Sequence, residues 1–79
     1  MREADDADVH QQWQAALRLW ATRCLLQHDQ PLLESAQPEF ERIMIAAALE
    51  ATGGKKNEAA QRLGWGRNTL TRKIKELDI

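Results

Sequence analysis

The side chains with the most distinctive chemistry lie between residues 67 and 75, where most residues are basic or can form hydrogen bonds. Arginine can donate two hydrogen bonds to guanine, and the amide of asparagine can pair in the same way with adenine. Threonine hydroxyls and lysine ammonium groups suit phosphate oxygens. This chemistry indicates double-stranded DNA as a partner. We predict base contacts by Arg67, Asn68 and Arg72, and contacts to the DNA backbone by Asn57, Thr69, Thr71 and Lys73.

A tight turn between two short helices would position these side chains. The pattern predicts helices over about 56–63 and 67–77, separated by a glycine. Ala60 is small enough for the helices to cross, Gly64 can adopt a positive φ, and Leu70 can point back into the crossing. With Ile74 and Leu77, Leu70 forms the inward stripe of the last helix. Residues 53–79 are therefore predicted to be a helix-turn-helix.

Three smaller features of this unit lead to further predictions. Leu63 and Trp65 are available as additional core, and Asn57 is a candidate cap near the start of the first short helix. Gly66 has no side chain, so the backbone and Arg67 could approach a DNA groove closely.

Two longer helices are predicted upstream of the helix-turn-helix. Val9 opens an apolar repeat with steps of four, four, three and four, which predicts an amphipathic helix over about 9–28. Pro38 and the acids around it suggest that the second helix begins there and runs to about Thr52, before the glycine pair at 53–54. Residues 1–8 are acidic and poor in apolar side chains, so a linker remnant or a disordered lead is expected.

The second helix is apolar over much of its circumference and therefore needs cover from two sides. A chain of 79 residues can hardly supply both sides, so a second copy is expected. Residues 9–52 are interpreted as dimerisation helices, the first two helices of each subunit forming an intertwined four-helix bundle. The predicted dimer interface consists of Trp13, Leu17, Trp20, Cys24, Phe40, Ile43, Met44 and Ala47.

Composition narrows the class of protein. The net charge of −1 is the sum of two oppositely charged parts. Residues 1–50 contain four basic and nine acidic residues and carry −5, whereas residues 51–79 contain seven basic and three acidic residues and carry +4. This difference in charge suggests that the C-terminal part binds a polyanion. The single cysteine excludes an internal disulfide, and there is no apolar run long enough for a membrane span, so a cytoplasmic protein is expected.

Catalysis and metal binding find little support in the sequence. Cys24 and His28 lie one helical turn apart, but no second pair completes a tetrahedral set. The place of Cys24 in an apolar stripe favours an inert thiol over a nucleophile. We therefore expect no enzyme activity, no metal and no cofactor.

The tail GWGRNTLTRKIKEL, with NEAAQRLG before it, resembles the C-terminal Fis-type helix-turn-helix of the NtrC nitrogen regulators. The resemblance covers about 53–77 and is weaker over 9–52. It implies an all-α, Fis-like fold of four helices. It also implies a homodimer at the end of a longer two-component activator, which would bind inverted-repeat enhancer sites and activate sigma-N RNA polymerase. Receiver and AAA+ ATPase domains would belong to that longer protein.

Two alternatives remain open at this point. The chain could be a dimerisation module for the parent ATPase, with DNA binding secondary. It could instead be a stand-alone, Fis-like DNA-bending protein. A pure dimerisation module would have no need for one exposed surface that carries Arg67, Asn68, Arg72 and Lys73.

Overall fold

The computed structural model describes residues 3–79, with side chains from residue 6 onward, and these residues form four α-helices and no strand. The helices are α1 (Glu3–Gln27), α2 (Leu32–Ala51), α3 (Lys56–Leu63) and α4 (Arg67–Glu76). The all-α prediction with four helices is confirmed. The chain divides into two compact units, Met1–Leu32 and Leu33–Ile79. Within the described part, no helix is long and apolar enough to cross a membrane.

The start of α1 corrects one expectation. The helix begins at Glu3, six residues before the apolar repeat, so residues 3–8 are helical and not a disordered lead. The first two residues of that predicted lead lie outside the described residues. This first part of the helix is stabilised without a buried face. Ala7 has high helix propensity, and the negative charges of Asp6 and Asp8 interact favourably with the positive end of the helix dipole.

The start of α2 corrects a second expectation. The helix begins at Leu32, directly after Pro31, and Pro38 lies inside it rather than at its first turn. Proline has no amide hydrogen, so the helical bond from residue 38 to the carbonyl of Glu34 cannot form. The residues before Pro38 include good helix formers, so the helix begins six residues upstream of the predicted start.

The core of the second unit lies where α2 crosses the two short helices. Ile45 and Leu70 are its largest fully buried side chains. The buried cluster comprises Ile45, Ala59, Ala60, Leu70 and Leu77, with Ala48, Leu49, Leu63, Trp65 and Ile74 packed partly buried against it. The predicted inward stripe of α4 and the predicted crossing role of Ala60 are confirmed.

The turn between α3 and α4 is closed by backbone hydrogen bonds around Gly64. This residue has a φ of 86°, in the left-handed region that favours glycine. The amide of Trp65 donates to the carbonyl of Ala60 at 2.9 Å, and that of Gly64 donates to Gln61 at 3.1 Å. This pair of bonds is a Schellman motif. It ends α3 and directs the chain into α4.

The end of α4 uses the same motif without a glycine. The amide of Ile79 donates to the carbonyl of Ile74 at 3.1 Å, and that of Asp78 donates to Lys75 at 3.3 Å. Asp78 has a φ of 57°, whereas Gly53 and Gly64 occupy the corresponding left-handed positions after α2 and α3. The last helix is therefore closed by a residue with an unfavourable backbone conformation.

Candidate nucleic-acid interface

The exposed face of α4 carries the hydrogen-bonding and basic side chains singled out in the sequence. Asn68, Arg72 and Lys75 follow one another at helical spacing on the side away from buried Leu70, and all three are exposed. Arg67 and Thr71 are also exposed, while Thr69 is half-buried. The structure thus brings the three predicted base readers together at the first two turns of α4. Lys75, which the predicted contacts did not include, extends that face.

The start of α3 adds a second group of polar side chains. Lys55, Lys56 and Asn57 are consecutive and exposed. Lys55 occupies the position before the helix, and no side chain caps it, so the predicted capping role of Asn57 is wrong. Asn57 lies within the first turn instead, which leaves its amide available for an external partner.

Gly66 occupies the cap position of α4 with extended backbone, at φ −75° and ψ 159°. A Cβ atom added there would meet nothing within 4 Å. No side chain caps α4, so the amide groups of its first turn face outward beside Arg67. The start of α4 therefore combines a positive helix end with an arginine and an asparagine, an arrangement suited to an anionic ligand.

Lys73 differs from the other basic residues of α4 because it is engaged within the fold. Its Nζ lies 3.1 Å from Oε1 of Glu41 on α2, and the two side chains are only 24% and 14% exposed. The structure thus gives Lys73 an internal partner in place of an outward position. The predicted phosphate contact by Lys73 would require this ion pair to open.

Arg42, next to Glu41, forms a second polar contact from α2 to α4. Its Nε donates a hydrogen bond at 3.2 Å to the carbonyl oxygen of Leu77, the C-cap of α4. A cation at this end of a helix also opposes the negative end of the helix dipole. Sequence reasoning missed both contacts, since they join residues 32 and 35 positions apart.

The surface of α2 that faces away from the core is apolar. Ile43 is 61% exposed and Phe40 47% exposed, whereas Ile45 is fully buried. Met44 and Ala47 belong to the same exposed surface. On α1, Trp13 and Leu17 are also exposed by more than 40%, while Cys24 is half-buried. Within the second unit, α2 is covered on one side only.

The second unit of the chain is similar in sequence to a known protein family. Residues 36–77 match the sequence profile of a family described as bacterial regulatory protein, Fis family. The matched segment includes most of α2 and all of the α3–α4 unit.

Several curated proteins are similar over most of the chain. The DNA-binding transcriptional regulator NtrC of Escherichia coli (strain K12) is 57% identical over 67 residues, which are 85% of this chain and 14% of that protein. The protein of the same name from Proteus hauseri is 51% identical over 87% of this chain and 15% of its own length. The transcriptional regulatory protein ZraR of Klebsiella oxytoca is 56% identical over 52% of this chain and 10% of its own length. No solved structure matches. The chain thus spans about one seventh of the NtrC proteins that it resembles.

Proposed function

Because the chain belongs to the Fis family of bacterial regulatory proteins, we propose that it binds double-stranded DNA sequence-specifically, as a two-fold dimer. The family makes it a regulatory domain rather than an enzyme domain. The observation that carries the proposal is the exposed polar surface of α4, where Asn68 and Arg72 lie opposite buried Leu70 and the exposed Arg67 begins the helix. In this proposal α4 is the recognition helix and enters the major groove.

Each side chain has a defined role in the proposed complex. Arg67 and Arg72 donate to guanine, and Asn68 pairs with adenine. Asn57, Thr69 and Thr71 contact phosphates, which fixes the register of α4 on the duplex. Charge supports the same orientation, since residues 51–79 carry +4 and residues 1–50 carry −5. The acidic part would face away from DNA.

The apolar surfaces that a single chain leaves exposed support the proposed dimer. We propose that Phe40, Ile43, Met44 and Ala47 of α2 pack with the Trp13, Leu17, Trp20 and Cys24 stripe of α1 across a two-fold axis. Large exposed side chains such as Trp13 and Ile43 are costly in water and typical of subunit interfaces. Two recognition helices would then reach successive major grooves, about 34 Å apart, and the target would be an inverted repeat.

The longer protein is part of the proposal. By its resemblance to NtrC, the chain would be the DNA-binding end of a two-component activator with receiver and AAA+ domains. It would direct that activator to enhancer sites of sigma-N promoters in the cytoplasm. The exposed apolar surfaces also favour a second candidate function, a module that mainly holds ATPase subunits together.

Fluorescence anisotropy on a labelled inverted-repeat enhancer sequence of the NtrC type tests the proposal. The chain is titrated against that duplex and a scrambled duplex at two salt concentrations. Arg67→Ala is compared with Arg18→Ala, which removes the same charge from an exposed position on α1. We expect salt-sensitive binding that prefers the repeat, and a loss of about 1–3 kcal/mol in Arg67→Ala only.

Equal, weak binding of both duplexes by the unaltered chain would overturn the DNA-reading role and favour the dimerisation module. Equal losses in the two arginine variants would show that the charge of the chain matters, and not the position of Arg67 on α4.

A further inference from the structure

We propose that Glu41 and Arg42 are positioning residues that set the angle of α4 on α2, and thereby the half-site spacing that the dimer accepts. The inference deepens the proposed function and rests on it. Neither residue faces DNA in that function. Both act through the helix that does.

The two contacts hold α4 at separate points along its length. Glu41 binds the ammonium group of Lys73 at 3.1 Å, in the second half of the helix. Arg42 binds the carbonyl of Leu77 at 3.2 Å, at the end of the helix. A single contact would leave α4 free to pivot about the apolar core, whereas two contacts one turn apart resist rotation and tilt.

Burial makes the ion pair stronger than an ordinary surface pair. At 24% and 14% exposure, the two side chains are partly removed from water, so their attraction is less screened than that of exposed charges. Among the described basic residues of α4, Lys73 is the one with an ion-pair partner. Its partner lies on the helix that carries the proposed dimer surface, and not on the neighbouring helix of the turn.

This placement links two surfaces that the dimer must hold at a fixed separation. Residues 40–47 of α2 would meet the second subunit, while the start of α4 would meet the bases. The path from one to the other runs through the α2–α4 contact, where Glu41 and Arg42 lie. A small change in the tilt of α4 is therefore doubled across the two-fold axis and changes the distance between the recognition helices.

The test measures affinity for three inverted repeats whose half-sites are separated by the preferred spacing, one base pair less and one base pair more. The variants are Glu41→Gln, Lys73→Gln and the charge-swapped pair Glu41→Lys with Lys73→Glu. Glu39→Gln on the same helix is the matched control, since it is exposed and removes the same charge. Circular dichroism confirms that each variant is folded.

We expect both single variants to lower the preference for the natural spacing by about threefold or more, and the swapped pair to restore it. The slope of log Kd against log salt should stay unchanged in Lys73→Gln. If the slope fell by about one per subunit, Lys73 would be shown to contact a phosphate, and the inference would be overturned.

A merely structural role is distinguished in the same experiment. In that case the substitutions would lower the melting temperature and weaken binding to all three duplexes equally, with the spacing preference intact. That result would also overturn the inference. If the unaltered chain shows no preference for the repeat over a scrambled duplex, the proposed function itself fails. If it shows that preference and the variants keep the spacing ratio, only the positioning role fails.

Discussion

Ile45 of α2 and Leu70 of α4 are the two largest fully buried side chains of the described residues, and both belong to the single core cluster. Their burial joins α4 to α2. The other buried members of the cluster are Ala59, Ala60 and Leu77. Truncating either of the two large side chains would therefore leave a cavity inside the second unit.

Leu70→Ala should lower the free energy of unfolding by about 2–5 kcal/mol, because it removes buried apolar surface and leaves a cavity. Leu33→Ala is the matched control, since Leu33 is 69% exposed and should change stability by less than about 1 kcal/mol. Urea unfolding followed by circular dichroism measures both. Equal effects of the two substitutions would contradict the core described above.

Leu17→Asp should convert the dimer to a monomer, because it places a charge within the proposed apolar interface. Leu26→Asp is the control. It lies nine residues later, which is two and a half turns and therefore the opposite side of α1. Sedimentation equilibrium should give the mass of one chain for the first variant and of two chains for the second. A dimer that survives Leu17→Asp would remove α1 from the interface.

Two glycines in the turn should respond differently to alanine. Gly64→Ala should destabilise the protein by about 1–2 kcal/mol, because φ is 86° there. Gly66→Ala should leave the melting temperature nearly unchanged, since φ is −75° and the added Cβ meets nothing within 4 Å. It should nevertheless weaken DNA binding, because the methyl group would lie between the backbone and the groove. Full DNA affinity in Gly66→Ala would refute the close approach.

Asp78→Gly should stabilise the protein by about 0.5–1 kcal/mol, because it relieves the positive φ of 57° at the end of α4. Asp78→Asn separates this effect from charge. It also removes the negative charge near the helix C-terminus, but it keeps a side chain on the strained backbone. Thermal unfolding should rank glycine above asparagine. If the two variants were equally stable, charge would be the cause.

The helix-turn-helix could be predicted closely because local signals define it. The bounds of α3 agree with the prediction, since Gly64 can end a helix at little steric cost. The small size of Ala60, the apolar side chain of Leu70 and their spacing around Gly64 predict that both lie inside. These features depend on residues within one or two turns of one another.

The sequence was less informative where the outcome depends on distant residues or on competing local preferences. Pro38 suggested a helix start, but Pro31 is the proline that precedes α2. Lys73 was predicted to face outward, and its ion pair with Glu41, 32 positions earlier in the chain, was not predicted. Helical periodicity places Lys73 between the inward and outward faces of α4, and only the tertiary fold shows which partner it meets.

The positions of the three tryptophans allow intrinsic fluorescence to report on separate parts of the protein. Trp65 lies half-buried in the turn between α3 and α4, whereas Trp13 and Trp20 lie on α1 in the other unit. In a chain carrying Trp13→Phe and Trp20→Phe, the tryptophan emission would come only from Trp65, in the turn before α4. Loss of the apolar surroundings of that indole would shift its emission to longer wavelength. Melting of α3 and α4 could then be followed separately from dissociation of the proposed dimer, without an attached dye.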